Sequence, residues 1–456
     1  MVIALKRSLS DPLDMWLGKP TPRYTSYPPA PFFHTGVAAK EYALNLKHLP
    51  KQEPISLYIH IPFCRSLCLY CGCNTMITKR PERMDGYLKA LHHEIELVAL
   101  LTGNRQISSL HFGGGTPNTL SEGQMRELFR CLHKHFDFGS TNEIAIELDP
   151  RMASEEQAHW LADCGVTRAS LGVQDFDANI QEIIHRIQPY GVVANTCQWL
   201  RHASITRINF DLIYGLPGQT TETIKNTANL ACDLAPERIA LFSYAHVPQI
   251  KKHQKSLEEY GIPDMHARLS LDQVARAEIM AHGYQALGID HFAMPDDSLV
   301  TAWRAGNLHR NFQGYTDGSC STLIGLGASS ISQTADGFFQ NERDVRSYQN
   351  LIDKSHLSVQ RGYILSEEDR IRATIIEQLM CNLNCDVEEI CHKFNFPLKT
   401  FLPVFQRMKP YEKAGIIARK KYALCLTTPY RMAIRSICSL FDNHTQNIST
   451  AASSTT

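Results

Sequence analysis

Residues 55–73 read ISLYIHIPFCRSLCLYCGC: seven residues of strand character run straight into Cys64, Cys68, Cys71 and Cys73, four cysteines within ten positions. Similar β-branched and apolar runs recur as ISSLHFG (107–113), EIAIELD (143–149), TRASLGV (167–173), TRINFDL (206–212) and RIALFSY (238–244). Between them, amphipathic segments read as helices at 84–101, 121–136, 154–163, 177–203 with a break at Pro189 and Gly191, and 220–233. Ser121 and Ser154 stand where N-caps belong. Six strands each followed by a helix make a parallel sheet with helical crossovers, either open and doubly wound or curled into a barrel. Residues able to do chemistry fall at the strand ends: the cysteine group, the run 113–116 (GGGT), Glu147, Gln174, Asp211, and Tyr244 with His246. A barrel gathers the C-terminal ends of its strands on one face, whereas an open sheet uses mainly one switch point. The pattern favours an α/β fold, a partial (β/α)6 TIM-like barrel.

The flanks divide the rest. Residues 1–53 read as an N-terminal arm, because Pro20, Pro22, Pro28, Pro29 and Pro31 argue against a helix or central strand, while Tyr24, Tyr27, Phe32 and Phe33 call for packing. The barrel is assigned to 54–300, with a helix over 264–287 and an edge strand over 284–293. Residues 301–365 form a barrel extension, 366–440 a small α-rich C-terminal domain with two strands around 416–426, and 441–456 a disordered polar tail.

Composition sets limits. The 456 residues carry 46 basic and 46 acidic side chains, 43% hydrophobic and 20% charged residues, as a soluble globular protein does. Zero net charge removes the long-range attraction of a general nucleic-acid or anionic-membrane binder. No run approaches eighteen apolar residues, and MVIALKR is too short for a signal-peptide core, so a cytoplasmic protein without membrane insertion is expected. Eight cysteines, Cys391 among them, are scattered singly and Cys381 and Cys385 form a pair; Cys381, Cys385 and Cys391 lack the partners of a metal site, and all ten read as packing residues in a reducing compartment.

The spacing C-x3-C-x2-C-x-C differs from the two separated knuckles of a structural zinc site. A compact loop of thiolates suits an iron-sulfur cluster, whose several metal atoms are each reached by one ligand; a zinc knuckle or a chance group of buried cysteines is the alternative. Gly113, Gly114 and Gly115 form either a tight turn or a backbone approach to a ligand. Taken singly, Glu147 could pair with Arg151, Asp211 could cap a turn, and Arg186 could lie on a solvated face. His60, His111 and His291 read as packed residues rather than ligands.

Cys64, Cys68, Tyr70 and Cys71 give C-x3-C-x-aromatic-C, which resembles the radical S-adenosylmethionine (SAM) superfamily. PRYTSYP (22–28), HFGGGTPN (111–118), IELDPR (146–151), LGVQDF (171–176), INFDLIYGLPGQT (208–220), DHFAMPDD (290–297) and HRNFQGYT (309–316) narrow the resemblance to the oxygen-independent coproporphyrinogen III dehydrogenase (oxidase) family. It runs from about residue 15 to about 440. The resemblance implies one 4Fe-4S cluster on Cys64, Cys68 and Cys71 and two SAM molecules. Tyr58, Gly114, Glu147 and Ile331 would contact the cluster-bound SAM; Tyr70, Gly115, Thr116, Gln174, Arg186, Asp211 and Ala245 would line the second site. Tyr58, Glu147 and Cys73 are the candidate catalytic residues, with Cys73 outside the cluster ligands. The implied reaction is a SAM-dependent oxidative decarboxylation: a deoxyadenosyl radical takes a hydrogen atom from a propionate, and two propionates of coproporphyrinogen III become the vinyl groups of protoporphyrinogen IX in haem biosynthesis. Arg23 and Arg310 are candidate cations for the substrate's carboxylates; Asp317 stands where the family usually has threonine. A monomer, an electron donor of flavodoxin or ferredoxin type and a separate electron acceptor are also implied. The related haem chaperones, which generally lack the arm and a cysteine matching Cys73, are the alternative, as is another radical SAM reaction on a tetrapyrrole.

Overall fold

The computed structural model describes residues 16–19, 21–318, 320–427 and 429–444. Six parallel strands lie side by side in chain order: β1 (Ile55–Ile61), β2 (Ile107–Gly114), β3 (Glu143–Leu148), β4 (Arg168–Gln174), β5 (Arg207–Tyr214) and β6 (Arg238–Ser243). The crossovers are the helices Pro81–Thr102, Glu122–His135, Glu155–Asp163, Tyr190–His202 and Thr221–Asp233, and Met265–Ala281 follows β6. Ile55, Leu57, Ile59 and Ile61 of β1 are buried in one core with Leu88, Leu91, Ile95 and Val98 of Pro81–Thr102, which fixes the strand against its own crossover. Ser121 and Ser154 accept from Gln124 N and Gln157 N and so cap their helices as their positions suggest.

The sheet continues beyond these six strands. On one side β7 (Gln285–Leu287) and β8 (His291–Ala293) add antiparallel strands, with β8 next to β6. On the other, β9 (Leu323–Leu326) runs parallel to β1, followed by the antiparallel β10 (Ile331–Thr334), β11 (Gly337–Asn341) and β12 (Val359–Ile364). The order β12-β11-β10-β9-β1-β2-β3-β4-β5-β6-β8-β7 leaves its two ends unpaired with each other among the described residues, so the barrel is partial. Buried Glu94 joins the extension to the barrel helices: it accepts from Gly327 N (2.6 Å), Asn341 Nδ2 (2.6 Å) and Tyr348 Oη (2.8 Å).

Several sequence expectations need correction. The arm holds a helix, Ala39–His48, because the prolines cluster before it and Tyr42 and Leu46 supply a buried face. The helix expected over 264–287 ends at Ala281; the turn at Gly283, with φ of 91°, releases the chain into β7. The segment 284–293 is two strands rather than one. The helix Ala433–Phe441 ends with Phe441 buried, and Asp442 accepts from Tyr24 Oη at 3.1 Å, so the expected tail does not begin at 441. Residues 445–456 lie outside the described residues, as do 1–15. Cys425 is exposed rather than packed, whereas Cys381, Cys385 and Cys391 are buried.

The arm packs on both units: Val37, Tyr42, Leu46 and Leu49 join the barrel core, and its earlier part meets the C-terminal unit. Trp16, Tyr24 and Tyr27 join the core formed by 371–441, and Arg435 donates to the carbonyl of Pro22 at 3.0 Å. His34 and Gly362 exchange backbone hydrogen bonds at the edge of β12. No described helix is long and apolar enough to cross a membrane.

Candidate active site

The loop after β1 carries Cys64, Cys68 and Cys71 onto one wall of a cavity of about 320 Å³. Thr116 lies 3.4 Å from the Cys64 sulfur. Cys68 faces two guanidinium groups, Arg186 Nη1 at 3.5 Å and Arg151 Nη2 at 3.7 Å. Cys71 accepts from the backbone N–H of Cys73 at 3.4 Å, and the Cys73 thiol also donates to it, which lowers the Cys71 pKa and favours thiolate. From outside the barrel the Lys251 ammonium, a ring nitrogen of His253 and Gln254 Nε2 reach the carbonyls of Cys73, Cys71 and Tyr70 and hold the loop's main chain.

The glycine triplet packs on this loop in an order that the sequence does not reveal. A Cβ on Gly113 would lie 2.6 Å from Glu147 Oε1, one on Gly114 2.5 Å from the His60 ring, and one on Gly115 2.7 Å from the Phe63 carbonyl oxygen. Gly114 also has φ of 113°, a conformation open to few other residues. Space and backbone conformation together require glycine here. The Gly114 N–H donates to Glu147 Oε2 at 3.2 Å, so Glu147 is held by the triplet and by His111 (3.3 Å), not by Arg151. Arg151 pairs instead with Asp149 at 2.6 Å.

Glu147 and Asp211 lie within strands, and Asp211 stands opposite Gly172 in the middle of β5 rather than after its end. Both face inward and line the cysteine cavity as well as a second, polar cavity of about 250 Å³ inside the barrel. Burial and the neighbouring Glu147 push the Asp211 carboxyl up to about 7. Arg186 is buried, not solvated: it donates to the Gly172 carbonyl at 2.7 Å and to Asp149 at 3.3 Å, and its Nε has no hydrogen-bond partner. Gln174 has a left-handed φ of 69° at the point where the β4–β5 register shifts, and its side chain lines the same cavity.

Tyr70, Thr116, Gly115 and Cys73 also line the cysteine cavity. Tyr58 stands behind Gly113 and hydrogen-bonds His60 at 3.1 Å. Ile331 is reached from Tyr58 across Gly325, its register partner. Ala245 shares Gln254 Nε2 with Tyr70 through their carbonyl groups. Arg23 and Arg310 lie elsewhere, in a third cavity beside the ends of β5 and β6. Asp317 is exposed and lines none of the three cavities. Asp149 and Arg151, both within IELDPR, join the site through Arg186 and Cys68; the sequence marks Arg151 only as a possible partner of Glu147 and gives no sign of Asp149's role.

Residues 58–231 match the family model described as the Radical SAM superfamily. The oxygen-independent coproporphyrinogen III oxidase of Bradyrhizobium diazoefficiens is 41% identical over 424 residues, covering 93% of this chain and 94% of that protein. The chain belongs to the oxygen-independent coproporphyrinogen III oxidase family. The Synechocystis member is 38% identical over 93% of each chain. A solved structure of the Escherichia coli coproporphyrinogen III oxidase, described as a radical SAM enzyme, is similar with a TM-score of 0.89 at 36% identity and covers 92% of this chain and 97% of that one. As a family member, the chain is expected to hold a 4Fe-4S cluster and SAM. The residues present fit them: three sulfurs share one cavity wall, the facing glycines leave room for a ligand, and Arg186 Nε is a buried donor without a partner.

Proposed function

We propose that the chain catalyses the oxidative decarboxylation of two propionates of coproporphyrinogen III, each losing CO2, a hydrogen atom and an electron to leave a vinyl group of protoporphyrinogen IX. The observation that carries this reading is the meeting of the cysteine loop, the glycine triplet and the Glu147–Asp211 pair at the mouth of a barrel in a chain 41% identical to a named oxidase. Cys64, Cys68 and Cys71 would hold a 4Fe-4S cluster, which together with SAM would supply the hydrogen-abstracting radical.

The protein's own residues bind, orient and exclude water. Gly114 and Glu147 line the cavity beside the cysteines, and together with Tyr58 behind Gly113 and Ile331 behind Gly325 they would receive the first SAM. Tyr70, Gly115, Thr116, Gln174, Arg186, Asp211 and Ala245 would receive the second, and the Arg186 fork suits a carboxylate. Arg186 stays charged there, because Tyr70, Asp149 and Cys68 outweigh the burial that opposes its charge. Cys73 hydrogen-bonds Cys71 from outside the ligand set. Arg23 and Arg310 supply positive charge for the substrate. A monomeric, cytoplasmic enzyme served by a flavodoxin- or ferredoxin-type donor and a separate electron acceptor completes the reading; fourteen free thiols suit a reducing compartment. Anaerobic incubation with SAM, reductant and coproporphyrinogen III tests it. Protoporphyrinogen IX with 5'-deoxyadenosine is expected; deoxyadenosine without a vinyl product would refute the substrate assignment.

A further inference from the structure

The cavity that holds Arg23 and Arg310 is larger in charge than either residue suggests. It encloses about 230 Å³ and is lined by four arginines from four separate elements: Arg23 of the arm, Arg268 of Met265–Ala281, Arg310 of the hairpin 309–316, and Arg435 of Ala433–Phe441. Among the described residues, the carboxylates facing it are Asp272 and Asp290, the first paired outside the set and the second with Arg310. Asp272 pairs with Arg276 at 3.1 Å, and Asp290 with Arg310 at 3.3 Å and His291 at 2.7 Å. The arginines act on one another. Burial, Arg23 and Arg310 together bring Arg435 down to about 10, and burial followed by Arg23 lowers Arg268. Arg310 Nε is buried and has no hydrogen-bond partner among the described residues.

Such a site is stabilised by an anion, and fork-shaped donors select a planar carboxylate. Its walls are also partly aromatic, with Tyr214, Phe242, Tyr244 and Phe312. The arginine cavity and the reaction site both border the barrel interior: the interior cavity shares Phe242, His291 and Gln313 with the arginine cavity, and Glu147, Ser170 and Asp211 with the cysteine cavity.

Resting on the functional reading above, we propose that the arginine cavity anchors the carboxylates that the reaction leaves intact. The two retained propionates dock among Arg23, Arg268, Arg310 and Arg435, and a reacting propionate reaches toward Glu147 and Asp211. The sequence hides half of this set, because Arg268 and Arg435 sit within helical segments where a charged residue reads as solvent-facing.

Binding of two stable porphyrins to the reconstituted enzyme, followed by fluorescence titration, tests the division of labour. Coproporphyrin III carries all four propionates, whereas protoporphyrin IX carries only the two that do not react. Arg268→Gln and Arg23→Gln are each expected to weaken both porphyrins by a similar factor, about tenfold or more, with Arg268→Lys recovering part of the loss. The two positions lie on different elements, so one variant decides if the other does not fold. Unchanged binding of both porphyrins by both variants would overturn the proposal. Weaker binding of coproporphyrin III alone would also overturn it, because the arginines would then hold the reacting carboxylates. Failure of the parent enzyme to form protoporphyrinogen IX overturns the functional reading itself, whatever the porphyrins do.

Discussion

Replacing Asp211 with asparagine removes a carboxyl that the barrel holds in an unfavourable place. Asp211 stands at about 7 against an ordinary 3.8, because burial and then Glu147 disfavour its charge, while Asn209 Nδ2, donating at 3.0 Å, offsets part of this. The folded chain thus binds this proton more tightly than the unfolded chain does. The stability it confers is complete below about pH 4 and is lost as pH rises towards 7. The whole loss corresponds to about 4 kcal/mol, a ceiling because water in the cavity screens part of it. Between about pH 5 and about pH 8 the share is about 2.5 kcal/mol. Urea unfolding of both proteins without SAM, followed by tryptophan fluorescence under anaerobic conditions, measures it. Asp211→Asn should gain stability relative to the parent by about 1–2.5 kcal/mol on going from pH 5 to pH 8. A difference between the two proteins that does not change with pH, or that changes in the opposite direction, would refute the reasoning.

Three further outcomes follow from the same geometry. Glu94→Ala leaves the buried donors of Gly327, Asn341 and Tyr348 without their acceptor and should cost about 3–5 kcal/mol in chemical denaturation, with Glu94→Gln milder. Single alanine substitutions at Cys64, Cys68 and Cys71 should each abolish iron retention after anaerobic reconstitution, while Cys73→Ala should keep it, as iron and sulfide analysis will show. Gly113→Ala places a methyl group 2.6 Å from Glu147 Oε1 and displaces that carboxylate, so the KM for SAM should rise at unchanged iron content.

The parallel strands were legible because each is a short apolar run ending in residues that do chemistry, and sequence spacing alone set the cysteines on one loop. The extension was not. β10 and β11 read ISQT and GFFQN, four and five residues too short and too polar to signal strands, and they are held by pairing and by Glu94 rather than by their own pattern. Within the site, Glu147 falls next to the last residue of β3, as its run in the sequence suggests, whereas Asp211 sits in the middle of β5. The pairing of Arg310 with Asp290 and the burial of Arg186, Arg268 and Arg435 depend on contacts between distant segments. An arginine's own position in a helix or loop gives no sign in sequence that it faces a cavity.

The proposed chemistry requires that hydrogen be taken from a propionate of the bound tetrapyrrole. Coproporphyrinogen III deuterated at the propionate β-carbons, incubated anaerobically with the reconstituted enzyme, SAM and reductant, tests it by mass spectrometry of the 5'-deoxyadenosine formed. The account predicts deuterium in the deoxyadenosine together with a divinyl product. Unlabelled deoxyadenosine, with the deuterium retained in the tetrapyrrole, would contradict it.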